Sequence, residues 1–437
     1  MNPLAEELNA TLKTASPALF QSLSAVGREL FFPRGILTQT AEAREKAHKY
    51  NATIGIAQEG GHAMNLPAVM ACVNLTPDET LDYAPSTGNA RLRRVWRDEM
   101  YVKNPSLAGK ETSLPVVTSG ITHGLTVAGE MFLDPGDVVI MPDKSWGNYN
   151  MVYAVKRQAV IKKFGLFAGD GFNVDGLAAA LSETLGDKGK AFVVLNFPNN
   201  PTGYSVRRGE DDAIVEALVG AAGPGRDIVA VLDDAYFGLF YDEETLSESL
   251  FGKLAGASEH VIPIKLDGAT KEEFAWGLRV GFITFSVVAG PGQAEAHEAL
   301  EKKVGGSIRG NISNCSQLSQ SMVLHAMSDD GYEAQKAEKF ELMKTRARKL
   351  EEVLAKPDYE PCWKPYPFNA GYFMSLALKG IDAEQFRVEL LERYGVGVIA
   401  EGKTDIRVAF SCLETDEIED LFDIMCRCAR ELAPKGD

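Results

Sequence analysis

Lys271 stands eight residues before Arg279 in Gly268-Ala-Thr-Lys271-Glu-Glu-Phe-Ala-Trp-Gly-Leu-Arg279, at the entrance to an apolar run. Upstream lie Asn199-Asn200-Pro-Thr-Gly203 and Asp233-Asp-Ala-Tyr236. A lysine amine can condense with an aldehyde to a Schiff base, and a carboxylate can keep a pyridine nitrogen protonated. A guanidinium fork suits a phosphate monoester. Those are the parts needed to hold a phosphorylated pyridine aldehyde and use it as an electron sink. Each has a blander explanation when taken singly. Asn-Asn-Pro-Thr-Gly is a turn signal, Asp233 and Asp234 suit a strand end and a helix start, and Lys271 suits a solvated surface. Trp146 suits packing. Their order on one chain is the argument for a shared site.

The elements that must position them are legible between about residues 115 and 285. Short apolar runs at 114–118, 137–141, 190–195, 227–232 and 260–265 alternate with helical segments at 121–132, 174–185 and 207–220. Continuous Val/Ile/Leu strands joined by helices predict a parallel sheet covered on both faces. The run 280–285 follows 265 after too few residues for a covering crossover, so an antiparallel strand is predicted there. Ligands of such sheets sit beyond the carboxyl ends of the strands. The loop at Asn196–Asn200, Asp233, the turn 268–271 and Gly120-Ile121-Thr122 all belong to that edge, and a helix N-terminus at Ile121 and Thr122 suits a phosphate. Past residue 289 short strands mix with helices (290–303, 315–328, 331–355, 382–394, 415–432), which predicts a smaller α+β region. The first 60 or so residues fit neither pattern and could cross over to it.

Length and composition set the outer limits. At 437 residues a large domain with a smaller companion is expected. A net charge of −16 leaves no basic surplus for nucleic acid. The six cysteines (72, 315, 362, 412, 426, 428) form no Cys-x-x-Cys pair, as suits reduced thiols in a cytoplasm, with Cys426 and Cys428 inert on a helix. No histidine spacing suggests a metal site. The N-terminus lacks a signal pattern, and no apolar run approaches membrane-spanning length. A cytoplasmic protein is expected, with no nucleic-acid or membrane partner.

With these motifs in view, the chain resembles the fold-type-I pyridoxal 5′-phosphate (PLP) enzymes of the class I/II aminotransferase family, aspartate aminotransferase branch, over roughly residues 50–410. The resemblance implies a mostly parallel seven-stranded α/β large domain at 67–310, a smaller α+β domain at 311–437, and an N-terminal segment 1–66 joining the latter. It implies that Lys271 is the Schiff-base lysine, Arg279 binds the phosphate, and Asp233 pairs with the pyridinium nitrogen. Tyr236 and Asn200 would bond the ring's phenolic oxygen, Trp146 in Ser145-Trp-Gly-Asn148 would stack on the ring, and Ile121 and Thr122 would hold the phosphate. Tyr83 and Ser313 would reach the phosphate from the neighbouring subunit of a homodimer. Arg407 in Ile-Arg-Val-Ala-Phe would grip the substrate α-carboxylate, with Asn200 and Trp146 beside it. Arg309 would bind the distal carboxylate of aspartate or glutamate across the interface; its plainer reading is a surface arginine before a helix.

The implied function is amino-group transfer between an amino acid and a 2-oxo acid, with Lys271 as proton carrier. Other readings of the same parts are an aromatic or broad-specificity aminotransferase, a β-lyase-like or cyclase enzyme, and a PLP-binding regulatory protein. The chain departs from the family in two places. Gly268 stands where a serine is usual, three residues before the lysine, and Glu272 and Glu273 follow the lysine, where they are expected to turn outward.

Overall fold

The structure is a computed structural model that describes residues 1–32 and 35–433, the side chain of Leu37 excepted. Pro33 and Arg34 lie outside the described residues. Seven strands form the main sheet: β1 (Val116–Ser119), β2 (Val138–Pro142), β3 (Val160–Phe164), β4 (Lys190–Asn196), β5 (Asp227–Asp233), β6 (Val261–Asp267) and β7 (Val280–Phe285). Their order is β1-β7-β6-β5-β4-β2-β3. All pairs are parallel except those of β7, which runs antiparallel to β6 and β1. The short 268–279 connection accounts for that reversal, as expected from sequence. Strand β3 (Val-Ile-Lys-Lys-Phe) was not anticipated, because its two lysines break the apolar run. It is the sheet's edge, half-exposed, where lysine is tolerated and blunts further pairing.

Helices cover both faces. Helices α5 (Val174–Lys188) and α6 (Glu210–Ala221) bury Leu177, Ile214 and Leu218 against Val193 and Leu232. On the other face α4 (Ile121–Phe132) and α7 (Gln293–Asn311) bury Leu125, Val127, Val304 and Ile308 against Val194 and Ile264. Each such side chain contributes about 1.5–3 kcal/mol. The alternation predicted between 115 and 285 is therefore a doubly covered sheet.

The second region is a four-stranded antiparallel sheet of β8 (Trp363–Pro365), β9 (Phe373–Leu378), β10 (Ile399–Glu401) and β11 (Asp405–Ala409), ordered β8-β9-β11-β10. Helices α9 (Tyr332–Leu354), α10 (Ala383–Tyr394) and α11 (Glu417–Leu432) pack on it, α11 through Ile418, Leu421, Phe422 and Met425. The N-terminal segment binds this region. Tyr50–Asn51 pairs in parallel with Val396–Gly397, and in α2 (Ile36–Lys46) Gln39 exchanges two hydrogen bonds with Ala400 (3.2 and 2.9 Å). Helix α8 (Gln317–Ala326), although it follows residue 310, sets Val323 and Leu324 in one cluster with Val117 and Phe282 of the main sheet.

Candidate active site

A cavity of about 220 Å³ opens at the carboxyl ends of the main sheet's parallel strands and is closed on the far side by the second region. Ile121, Thr122, Trp146, Asn200, Asp233, Tyr236, Lys271, Arg279 and Arg407 all line it. Nine sequence-predicted residues, spread over 287 positions, thus share one space.

At one end β1 gives way to α4 through Gly120. Gly120 sits at φ +73°, and a Cβ there would lie 2.4 Å from Nη2 of Arg279. Glycine therefore lets the guanidinium seat against the helix N-terminus. The first backbone donors used within the helix are His123 and Gly124, both to Gly120, which leaves the N–H groups of Ile121 and Thr122 for an anion. Arg279 is itself held at φ +55°, a conformation costing on the order of 1–3 kcal/mol for a side-chain-bearing residue. Its Nη1 donates to the Trp276 carbonyl (3.2 Å). Amides and guanidinium together form a phosphate-sized cradle.

Gly268 supplies no hydroxyl here, and there is no space for one: a Cβ would lie 2.6 Å from the Val280 carbonyl oxygen and 2.7 Å from Cα of Gly281. Restoring the family's serine should therefore destabilise the protein rather than improve the cradle. Gly268→Ser is expected to cost about 1–3 kcal/mol in a denaturant melt. An unchanged midpoint, with tighter phosphate binding, would refute this.

Asp233 ends β5 in register with Asn196 and Leu266 and is 2% exposed. Its Oδ2 accepts from the Tyr149 hydroxyl (2.6 Å) and its Oδ1 from the Ala235 N–H (3.1 Å). Asn196 Nδ2 donates to the Asp233 carbonyl (2.8 Å). Burial pushes the Asp233 carboxyl up to about 6, against the pull of those donors. Trp146 meets Tyr149 edge-on (centroids 5.7 Å, 84°). Tyr236 is buried among Tyr372 and Phe373 (5.4 and 5.5 Å).

Lys271 lies in the middle, its Nζ donating to the Gly55 carbonyl (2.8 Å) and 5.0 Å from the Tyr236 ring. Burial, reinforced by the cations of Arg279 and Arg407, pushes its amine down to about 7. Such an amine is substantially neutral at physiological pH and able to act as nucleophile or base. Lys265, the nearby lysine of β6, is instead clamped by Asp234 (2.5 Å) and Asp267 (3.1 Å) and held at about 12. Arg407, on β11, donates from Nη1 to Asn200 (3.1 Å) and from Nη2 to the Thr53 carbonyl (3.0 Å), and lies over Phe373 at 4.3 Å. Its buried Nε has no protein partner among the described residues. A phosphate monoester, a protonated pyridine, an aldehyde and a carboxylate each find a matching group.

Glu272 and Glu273 do not turn outward. Both turn in: Glu272 pairs with Lys103 (2.6 Å) and Lys336 (3.4 Å), and Glu273 with Lys336 (2.9 Å) and the Tyr332 hydroxyl. Burying a carboxylate costs more than solvating it unless it is paired, and α9 and Lys103 supply the pairing. The charge is thereby cancelled away from the cradle. Tyr83, Arg309 and Ser313 are not brought to this cavity within one chain. Tyr83 is 90% exposed, and Arg309, in the last turn of α7 and not before a helix, donates to Ser313 Oγ (2.7 Å) on the surface. Four further lining residues escaped the sequence reading: Tyr149, Ile36, Gly55 and Phe373. Only Tyr149 carried a local signal, three residues after Trp146.

Residues 56–424 match the family model for aminotransferase class I and II. The chain is 24% identical over 355 residues (79% of it, 81% of the relative) to a probable N-acetyl-LL-diaminopimelate aminotransferase of Bacillus subtilis. It is 24% identical over 336 residues (76% and 77%) to an arginine–pyruvate transaminase of Pseudomonas aeruginosa. Among solved structures, an aminotransferase from Anaerococcus prevotii superposes with a TM-score of 0.80 at 23% identity, covering 92% of this chain and 97% of that one.

Proposed function

The chain belongs to the class I and II aminotransferases, PLP-dependent transaminases, and from that premise we propose which residues do the work and which substrates they take. The convergence of Lys271, Asp233, Arg279 and Arg407 on one cavity carries the proposal. Arg279 with the amides of Ile121 and Thr122 holds the cofactor phosphate, and Trp146 covers the ring face. Asp233 holds the proton on the pyridine nitrogen, and Asn200 and Tyr236 bond the phenolic oxygen. Bound there, PLP supplies the electron sink and carries the amino group from donor to acceptor. Lys271 anchors the cofactor, and its freed Nζ then takes the proton from substrate Cα. Arg407 grips the α-carboxylate with two parallel donors and so orients Cα toward Lys271.

Glutamate and 2-oxoglutarate are the proposed shared couple, with aspartate as amino donor. The distal carboxylate requires a further cation, and Arg309 of a second subunit fills that role. The surface around it supports this assembly. Leu81, Tyr83, Met70, Val73 and Ile312 are exposed apolar side chains, and Ser86 and Ser321 tie the 76–86 segment to 313–326 (2.9 and 2.7 Å). A homodimer that covers this face delivers Tyr83, Arg309 and Ser313 to the other subunit's site. The division into 1–66, 67–310 and 311–437 belongs to the same proposal, with the packing of α8 favouring a second boundary after 326. The unpaired cysteine spacing supports a cytoplasmic location. No described helix is long and apolar enough to cross a membrane.

A second reading has one observation in its favour. Part of the cavity wall is apolar (Ile36, Phe373, Trp146), which suits an aromatic or broad range of donors. A single-turnover absorbance screen of the twenty amino acids against the PLP form decides between them: aspartate and glutamate should react fastest. Two variants sharpen the test. Arg309→Ala should lower kcat/KM for aspartate by about 2–5 kcal/mol while sparing phenylalanine, as for truncating one side of an interfacial ion pair. Arg407→Ala should harm both alike, since every donor carries an α-carboxylate. Equal losses in Arg309→Ala would return that arginine to the surface and favour the broad reading.

A further inference from the structure

Tyr149 makes the shortest hydrogen bond to the carboxylate at the floor of the cavity. Its hydroxyl donates to Asp233 Oδ2 at 2.6 Å, and no other acceptor for that proton exists among the described residues. The other carboxylate oxygen takes the Ala235 N–H at 3.1 Å, so the two donors fix the carboxylate plane. Tyr149 is fully buried and held on two sides. Trp146 meets it edge-on at 5.7 Å, Tyr153 stacks behind it at 6.4 Å and 15°, and Phe192 backs Tyr153 at 5.2 Å. The widened turn that allows this stacking is a π-helical segment, Asn150–Val155, a rare conformation that recurs at functional sites.

We propose that Tyr149 is a positioning residue that keeps Asp233 ionised and aimed, so that this carboxylate can hold a proton on the cofactor's ring nitrogen. The inference rests on the assignment of Asp233 to that nitrogen. The physics is a balance of two opposed effects. Burial favours the neutral acid at Asp233, and a donor on the charged form favours the carboxylate. Tyr149 remains a donor throughout the working range, because burial beside Asp233 holds its own hydroxyl far above the usual phenol range. Remove the donor, and the proton shared between carboxylate and ring passes more readily to Asp233. Tyr153 serves as an internal control. Its hydroxyl is equally buried but has no hydrogen-bond partner among the described residues, so it contributes packing alone.

The decisive measurement is the 15N chemical shift of ring-labelled PLP in the holoenzyme, followed with pH. In wild-type protein the nitrogen should stay protonated throughout. In Tyr149→Phe, which keeps the ring stack, it should lose its proton at a pH lower by about one unit or more, as for loss of a hydrogen bond to a charged group. The same variant should lose about ten- to a hundredfold in kcat with a smaller change in KM for the amino acid, since the hydroxyl it removes is spent on Asp233. Tyr149→His, which retains a donor, should titrate closer to wild type, and Tyr153→Phe should titrate as wild type. An unmoved titration in Tyr149→Phe overturns the proposal whatever the rate does, and so does an equal shift in Tyr153→Phe. Should Tyr149→Phe fail to fold, a Tyr149→His titration displaced as far as that of Asp233→Asn overturns it equally. Failure of the underlying assignment is separate: Asp233→Asn would then leave the nitrogen's titration unmoved.

Discussion

Lys271→Ala should bind PLP without a covalent bond and lose turnover by on the order of 10⁴-fold or more, the upper range for deleting a positioned proton carrier. The structure singles out this lysine for a physical reason. Lys265 is locked between two carboxylates and held at about 12, whereas Lys271 faces Arg279 and Arg407 across the cavity and is pushed down to about 7. Only a neutral amine attacks an aldehyde. Capture of PLP by the cofactor-free protein should therefore accelerate about tenfold per pH unit below 7 and level off above it, as the neutral fraction of an amine with that pKa saturates. Borohydride reduction followed by peptide mapping checks the site. Label on any other lysine refutes the assignment, and a capture rate still climbing through pH 10 refutes the depressed amine.

The ease with which these groups were found in the sequence follows from where their partners lie. Strands β4, β5 and β6 are buried on both faces, so their apolar runs stand out with no knowledge of neighbours. Asp233 and the Asn196–Asn200 loop lie at strand ends, and Lys271 and Arg279 belong to one short turn, so order along the chain announces them. Strand β3 was hidden because an edge tolerates lysine. Glu272 and Glu273 were misjudged because the lysines that neutralise them, 103 and 336, are remote in sequence. Charge next to an anion site looked like something to expel until its countercharges were in place. Ile36 and Gly55 reach the cavity only because the N-terminal segment pairs with Val396–Gly397 and docks Gln39 on Ala400, contacts with no local signature. Arg309 lies at the surface of the single chain, and its proposed role needs a second subunit that no pattern in one sequence displays.

Asp233→Asn tests the chemistry at the opposite end of the ring from Lys271. The exchange is nearly isosteric, but the Tyr149 hydroxyl on Oδ2 and the Ala235 N–H on Oδ1 then meet a side chain with one oxygen in place of two, so one of them loses its acceptor. The amide is neutral whichever donor its oxygen keeps, so it offers the ring nitrogen no negative charge. Without that charge the nitrogen gives up its proton more readily, whereas the native carboxylate accepts and holds a proton on it. The fold and the attachment at Lys271 should survive, because the carboxylate's burial was unfavourable to begin with: its carboxyl sits at about 6 despite two donors. What should fail is abstraction of the Cα proton, slowed by on the order of 10²–10³-fold, as for removing one preorganised charge from a closed site. A primary isotope effect with Cα-deuterated amino acid should grow in the variant as that step becomes limiting. Near-wild-type turnover, or a slow variant with no isotope effect on the amino-acid half-reaction, would detach Asp233 from the ring and leave it as a structural end to β5.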